Sequence, residues 1–214
     1  MASTLPVLYV VRHGDTEWTD SHRKTGRTDL PLNERGEANA RQLGDRLRSV
    51  SFDRVFTSPL QRALKTCELA GFRDVAELDP DLLEWNYGRF EGMTTHEIHR
   101  ERPDWELFRD GCPDGDTSQD VARRADRFID QVHGVGGIVL AFASGHIIRM
   151  IAARWHHLPP GAARIFYCNP ASIGVLGFEH DSREEPIVRL WNDSIETMEF
   201  GECRNKPTLD TVPR

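Results

Sequence analysis

Two uninterrupted apolar runs, "VLYVV" at 7–11 and "GIVLAFA" at 137–143, constrain the fold of this 214-residue chain more than any other feature. Neither alternates apolar with polar residues, and the first is rich in β-branched side chains. A strand tolerates such a run when both of its faces are covered, as in a parallel sheet layered with helices. The intervening segments fit that scheme. Ala40, Leu43, Leu47 and Val50 recur at spacings of three and four, the stripe of an amphipathic helix with Asn33 as its cap. "RVFTS" at 54–58 predicts a short strand, with Pro59 in the first turn of a helix running to about Ala70. Val75–Leu78 suits another strand. Val121, Ala125, Phe128, Ile129 and Val132 mark a helix starting near Thr117, and an apolar helix follows the second run through about Trp155. Segments near 171–178 and 187–191 read as strands.

The alternation of strands and helices predicts an α/β fold with a mostly parallel sheet covered on both faces. We expect a single domain over 1–200. An excursion at about 86–116 contains short helices and carries Trp105 and Phe108, which suit either its core or a lid. The polar tail at 201–214, with two prolines, is expected to be loose.

Composition bears mainly on partners. A net charge of −7 without a concentrated basic block argues against nucleic acid and anionic membranes. An anionic ligand would therefore need arginines gathered locally. The four cysteines (Cys67, Cys112, Cys168 and Cys203) form neither a CxxC pair nor a His/Cys metal spacing. They read as free thiols in a reducing compartment, and neither a metal nor a cofactor is expected. The opening "MASTLPVLYVV" lacks a basic leader, and its apolar run is too short for a signal or a membrane span, so the expected location is cytoplasmic.

Open α/β sheets bind ligands beyond the carboxyl ends of their strands. The first run ends in "VVRHGDTEW", placing Arg12 and His13 at the tip, and the second ends in "AFASGHIIR". Taken singly, Arg12, His13, Arg62 in "TSPLQRALKT" and Glu84 in "LLEWNYGRFEG" also suit solvated surface positions. Together, two guanidiniums and an imidazole at strand ends and helix starts match phosphate recognition, because the arginine fork pairs with phosphoryl oxygens.

The blocks "RHGDTEW", "TGRTDLPLNERGEANA", "FTSPLQRALKT", "LLEWNYGRFEG" and "FASGH", in that order, resemble the histidine phosphatase superfamily, the phosphoglycerate mutase-like proteins. The likeness runs from about residue 8 to 178. "EWNYGRFEG", "FRDGCPDGD" and "GHIIRMIAARW" look closest to its small phosphatase branch, the sedoheptulose-bisphosphatase-like and bacterial acid phosphatase-like members. The resemblance implies a three-layer α/β/α sandwich and a phosphohistidine formed on His13. It implies that Arg12 and Arg62 hold the phosphoryl oxygens, with Thr19 as a small polar contact. Thr25 and Gly26 match a substrate-contacting segment, and Glu84 matches the general acid and base. Glu84 must be protonated to act as acid, so its pKa is expected to be raised by Trp85 and Tyr87.

The superfamily places a second histidine directly after the later strand, often as His-Gly-His. This chain reads Ser144-Gly145-His146. Three explanations compete: Ser144 gives the phosphoryl group a hydroxyl bond with reduced activity, His146 swings in, or the chain is an engineered or degenerate variant. We favour the first and take His146 as the weaker candidate. Asp15 also departs from the usual Glu or Gln.

The leading functional expectation is a metal-independent phosphatase acting on a small phosphorylated metabolite, such as a sugar phosphate or bisphosphate. A phosphoglycerate mutase and a catalytically impaired phospholigand binder are the alternatives. Arg23, Lys24, Arg27, Arg100, Arg102 and Arg109 are candidates for a second anionic subsite and equally suit solvated surface charges. Self-association into a homo-oligomer is left open.

Overall fold

The computed structural model describes residues 5–194, so the expected loose tail at 201–214 lies outside the described residues. In chain order the elements are β1 (Val7–Arg12), α1 (Glu17–Asp20), α2 (Glu34–Leu47), β2 (Arg54–Thr57), α3 (Gln61–Leu69), β3 (Ala76–Leu78), α4 (Thr95–Glu101), α5 (Leu107–Asp110), α6 (Ser118–Val135), β4 (Ile138–Ala143), α7 (Gly145–Trp155), β5 (Ser172–Phe178) and β6 (Pro186–Ser194). The strands form one sheet in the order β3-β2-β4-β1-β5-β6. The first four are mutually parallel, while β5 runs antiparallel to β1, and β6 antiparallel to β5.

The two apolar runs are β1 and β4, paired side by side at the centre of the sheet. Alternate side chains along each strand feed different cores. Leu8, Val10, Val139 and Ala141 pack with Val121, Phe128 and Val132 of α6 and Ile147 and Ile151 of α7. Val11, Leu140 and Phe142 pack with Leu43 and Leu47 of α2 and Cys67 of α3 on the opposite face. Two cores on two faces explain why neither strand alternates in sequence, and they make the fold a three-layer α/β/α sandwich.

The expected Asn33 cap forms, and the helix expected near Thr117 starts there with a cap of its own. The Asn33 side chain accepts from the Gly36 amide at 2.8 Å at the head of α2, and Thr117 closes a capping box with Asp120 at the head of α6. Three boundaries differ from expectation. The α2 helix ends at Leu47, and Val50 falls in the following turn. Pro59 precedes α3 instead of starting it. Ser58 still donates to the Phe142 carbonyl along the sheet, and the helix begins where Asp29 accepts from the Gln61 amide at 2.8 Å. The last strand runs longer than expected, over Pro186–Ser194. Within 86–116, Trp105 and Phe108 are buried against Phe90 and Trp85, which makes them the core of the excursion.

Candidate active site

The register of β1 and β4 brings the two strand tips together. Arg12 pairs with Ala143, and the His13 amide then donates to the Ala143 carbonyl at 3.0 Å. From the other side, the Ala171 amide donates to the His13 carbonyl at 3.1 Å, just before β5. His13 is thus fixed by backbone bonds on both flanks before its side chain does anything. Above it opens a cleft of about 620 Å³ whose walls include Arg12, His13, Thr19, Lys24, Thr25, Glu84, Tyr87, Gly145, His146 and Arg149.

The His13 ring has one settled orientation. Its Nδ1 lies 2.7 Å from the Gly14 carbonyl oxygen. A carbonyl can only accept, so Nδ1 carries the proton and Nε2 keeps a free lone pair in the neutral ring. Burial lowers the imidazole pKa well below its ordinary value, and the Arg62 and Arg12 cations lower it further. His13 is neutral at physiological pH.

The two arginines are used differently. The Arg12 Nη1 donates to the Cys168 carbonyl at 2.7 Å, while its buried Nε has no protein partner. Arg62 is fully buried and lies behind the cleft wall. Its guanidinium donates to the Thr25, Gly26 and Thr28 carbonyls and, through Nε, to the Ser144 hydroxyl at 3.3 Å. Four of the five N–H groups of a guanidinium are therefore spent on the protein. Arg62 is at once a local positive charge and the clamp for the 25–28 loop. Gly26 in that loop has no room for a side chain, since a Cβ would sit 2.2 Å from the Trp85 carbonyl.

Ser144 caps α7 without a side-chain capping bond and is buried beside Arg62. The anion at this helix start comes from Glu84 instead. Its carboxylate accepts from the Trp85, His146 and Ile147 amides, each at 2.9 Å, and so occupies the positive end of α7. The His146 Nδ1 lies 3.5 Å from the same carboxylate and 2.6 Å from the Tyr87 hydroxyl. Burial pushes the Glu84 carboxyl up, but the His146 imidazole and the His146 and Trp85 amides more than offset it. The carboxyl ends well below its usual range, opposite to the sequence expectation. The aromatic neighbours Trp85 and Tyr87 are present and buried as expected. Sequence reading missed the amides, because two of them belong to residues more than sixty positions downstream.

Other expected contacts sort themselves by geometry. Thr19 and Thr25 border the cleft, but the Thr19 hydroxyl bonds Thr16 in the α1 capping box, and the Thr25 hydroxyl bonds the Arg23 carbonyl. Gly145 lets the helix start approach Arg12, whose Nε would lie 3.2 Å from a Cβ there. Of the six candidates for a second anionic subsite, Arg23 and Lys24 border the cleft, and Arg23 is paired with Glu97. An unforeseen cation on the wall is Arg149, with its guanidinium 4.7 Å from the Phe108 ring centroid. Its signal was available: Arg149 lies three and four residues after His146 and Gly145, on one helix face. Asp15, the departure after Gly14, ion-pairs with Arg35 at 2.9 Å, and Arg35 also reaches Asp20.

One further group has metal-like spacing that sequence reading did not foresee. Glu179, His180 and Glu185, all exposed at the β5–β6 turn, bring potential ligand atoms within 4.8 Å of one another. None of the three borders the cleft.

Residues 8–194 match the model of the histidine phosphatase superfamily, branch 1. This chain belongs to that superfamily. Among its relatives, an acid phosphatase of Mycobacterium tuberculosis is 37% identical over 187 residues, covering 86% of this chain and 92% of the relative. A sedoheptulose 1,7-bisphosphatase of Saccharomyces cerevisiae is 36% identical, covering 89% of this chain and 94% of the relative. A solved structure of an open reading frame from M. tuberculosis superposes with a TM-score of 0.82 at 34% identity, covering 88% of this chain and 97% of that one. These similarities support the fold and mark this histidine phosphatase as a phosphoric monoester hydrolase. Among the described residues, no helix is long and apolar enough to cross a membrane.

Proposed function

We propose that this cleft hydrolyses small phosphorylated metabolites, sugar phosphates or bisphosphates among them, through a phosphohistidine on His13. The observation that carries the reading is the His13 ring: neutral, with Nε2 as its free lone pair, beside two guanidiniums. In the first step Nε2 forms a bond to phosphorus, the P–O bond to the alcohol breaks, and the leaving oxygen takes a proton from Glu84. In the second step water attacks phosphorus, gives its proton to Glu84, and the N–P bond breaks to release phosphate. Arg12 and Arg62 offset the charge on the transferring group. Glu84 is held as a carboxylate by its N–H donors, and the approach of an anionic phosphoryl group raises its proton affinity.

Two cations on the wall support a preference for substrates with a second anionic group. Lys24 Nζ bonds the Thr95 hydroxyl at 3.0 Å, and Arg149 donates to the Ala163 and Arg164 carbonyls. Among the described residues neither forms an ion pair with a carboxylate, despite the acidic balance of the chain. A second reading, an impaired phospholigand binder, draws on Ser144 alone.

The test is hydrolysis of p-nitrophenyl phosphate and of a sugar bisphosphate, alongside 3-phosphoglycerate, by the parent and by His13→Ala. Phosphate release that drops on the order of 10³-fold or more in the variant is expected. Isomerisation of 3-phosphoglycerate without release would favour a mutase. Inertness of the parent across all three substrates would leave the binder.

A further inference from the structure

The His13 mechanism leaves two polar groups at the cleft unused: the half-buried His146 ring and the buried Tyr87 hydroxyl. They are not independent. The Tyr87 oxygen is 2.6 Å from His146 Nδ1, and the same Nδ1 is 3.5 Å from a Glu84 carboxylate oxygen. The ring is held in place by an edge-on contact with Tyr87 at 5.9 Å and by Phe108 at 5.6 Å. The His146 amide separately bonds Glu84, so residue 146 touches the carboxylate through both backbone and side chain.

One ring nitrogen thus faces two oxygens of different character. A carboxylate can only accept, whereas a phenol can also donate. If Tyr87 donates to Nδ1, the Nδ1 lone pair is committed, and a charged carboxylate beside it is unfavourable. That arrangement suits a protonated Glu84. If Nδ1 carries the proton, it faces the Glu84 carboxylate as a donor.

We propose that His146 and Tyr87 are positioning residues that set the protonation of Glu84, with His146 lending the proton and Tyr87 filling the lone pair that His146 gives up. The proposal rests on Glu84 being the acid of the phosphatase reading. The proton count is the same before and after. Initially the neutral His146 ring carries its one proton on Nδ1 and shares it with the Glu84 carboxylate, Nε2 is unprotonated at the cleft, and Tyr87 keeps its own proton. Afterwards the Nδ1 proton sits on Glu84, Nε2 has taken the proton of the incoming phosphoryl monoanion, the ring is again neutral, and the Tyr87 O–H turns to donate to Nδ1. No bond other than N–H and O–H changes, and the proton comes from the substrate itself.

The surroundings favour this transfer once substrate arrives. The charges facing the three groups are Lys24, Arg149, Arg62 and Arg12, with Glu91 and the Cys112 thiol on the Tyr87 side. Burial keeps the Tyr87 hydroxyl protonated, so it remains able to donate. Burial also lowers His146 to about 4 against the opposing pull of Glu84, so the ring is neutral and it is the placement of its single proton that changes. An anionic phosphoryl group next to Glu84 disfavours the carboxylate and moves the shared proton onto it.

The experiment compares kcat/KM on p-nitrophenyl phosphate, whose leaving group departs without a proton, with kcat/KM on glycerol 2-phosphate, whose alkoxide needs one. Tyr87→Phe and His146→Gln are measured with Glu84→Gln as reference. The expected result is a fall of about tenfold or more in the alkyl-to-aryl ratio for both variants, in the same direction as Glu84→Gln. In Tyr87→Phe the limb on which glycerol phosphate activity declines with rising pH also moves to lower pH. An equal loss on both substrates would reduce the pair to packing and overturn the proposal. So would an unchanged ratio in Tyr87→Phe and His146→Gln while Glu84→Gln shows the split, which leaves the phosphatase reading intact. If Glu84→Gln itself shows no split, Glu84 is not the acid and both ideas fall. Should His146→Gln fail to fold, Tyr87→Phe, which keeps the ring, decides alone.

Discussion

The tips of β1 and β4 lie side by side in register, yet they handle charge in opposite ways. At the β1 tip, two arginines crowd a buried imidazole and keep it neutral. At the β4 tip, a helix start gathers a buried carboxylate on its amides and keeps it charged. Both groups are almost fully buried, so burial alone cannot account for the difference. Desolvation favours the neutral form of each group. It wins at His13 because the neighbouring cations act in the same direction, and loses at Glu84 because three N–H donors and an imidazole oppose it. On the proposed function, the site starts with a nucleophile ready and an acid that must be reloaded.

The largest effect that would sharpen this contrast comes from changing the β4 tip itself. Ser144→His introduces the imidazole that the resemblance to the superfamily implies for this position, and phosphatase turnover is expected to rise by about a hundredfold. Turnover that does not rise, measured on a protein of unchanged melting temperature, would mean position 144 serves as a bond to Arg62 and not as a vacated catalytic slot.

A second contrast appears in stability as pH falls. The folded-state pKa of His13 is depressed, so between the ordinary imidazole value of 6.5 and its folded value the unfolded chain binds a proton that the folded chain refuses. Stability from this group is complete above 6.5 and declines as pH drops below it. Glu84 is also depressed, but from 4.5, so its contribution persists down to that value and is lost only beyond it. Melting temperatures of the parent and His13→Gln across pH 7 to 5 read the first window, and the variant should show the shallower decline. Equal slopes would mean that His13 is not the buried neutral group described. The smallest effect concerns the loop after β1. Asn33→Ala removes the cap of α2 and should cost about 1 kcal/mol in urea denaturation, with little change at the β4 tip.

The sequence exposed those features whose causes are local. Continuous apolar runs disclosed β1 and β4, and Asn33 and Thr117 disclosed the helix starts they cap, because a cap acts within three residues. The start of α3 was misplaced because its capping carboxylate, Asp29, lies 32 residues earlier in the chain. Glu84 was assigned the wrong direction of shift for the same reason: aromatic neighbours are adjacent in sequence, whereas the amides that outweigh them arrive through the fold. Arg62 looked like a free phosphate donor, and its commitment to the 25–28 carbonyls becomes visible only once that loop is placed. Resemblance to the superfamily pointed to the candidate site, and tertiary hydrogen bonds set the charge states of its groups.

The pairing of Arg12 with Ala143 has a consequence for how this chain can vary. Because side chains alternate along a strand, an insertion or deletion of one residue within β1 would turn the His13 ring toward the opposite layer of helices while leaving composition and hydrophobicity almost untouched. Such a chain could still bury both cores and pass for a folded relative, yet carry no chemistry. Reading frame within a six-residue strand is thus a form of information here, and family membership judged by overall similarity does not measure it.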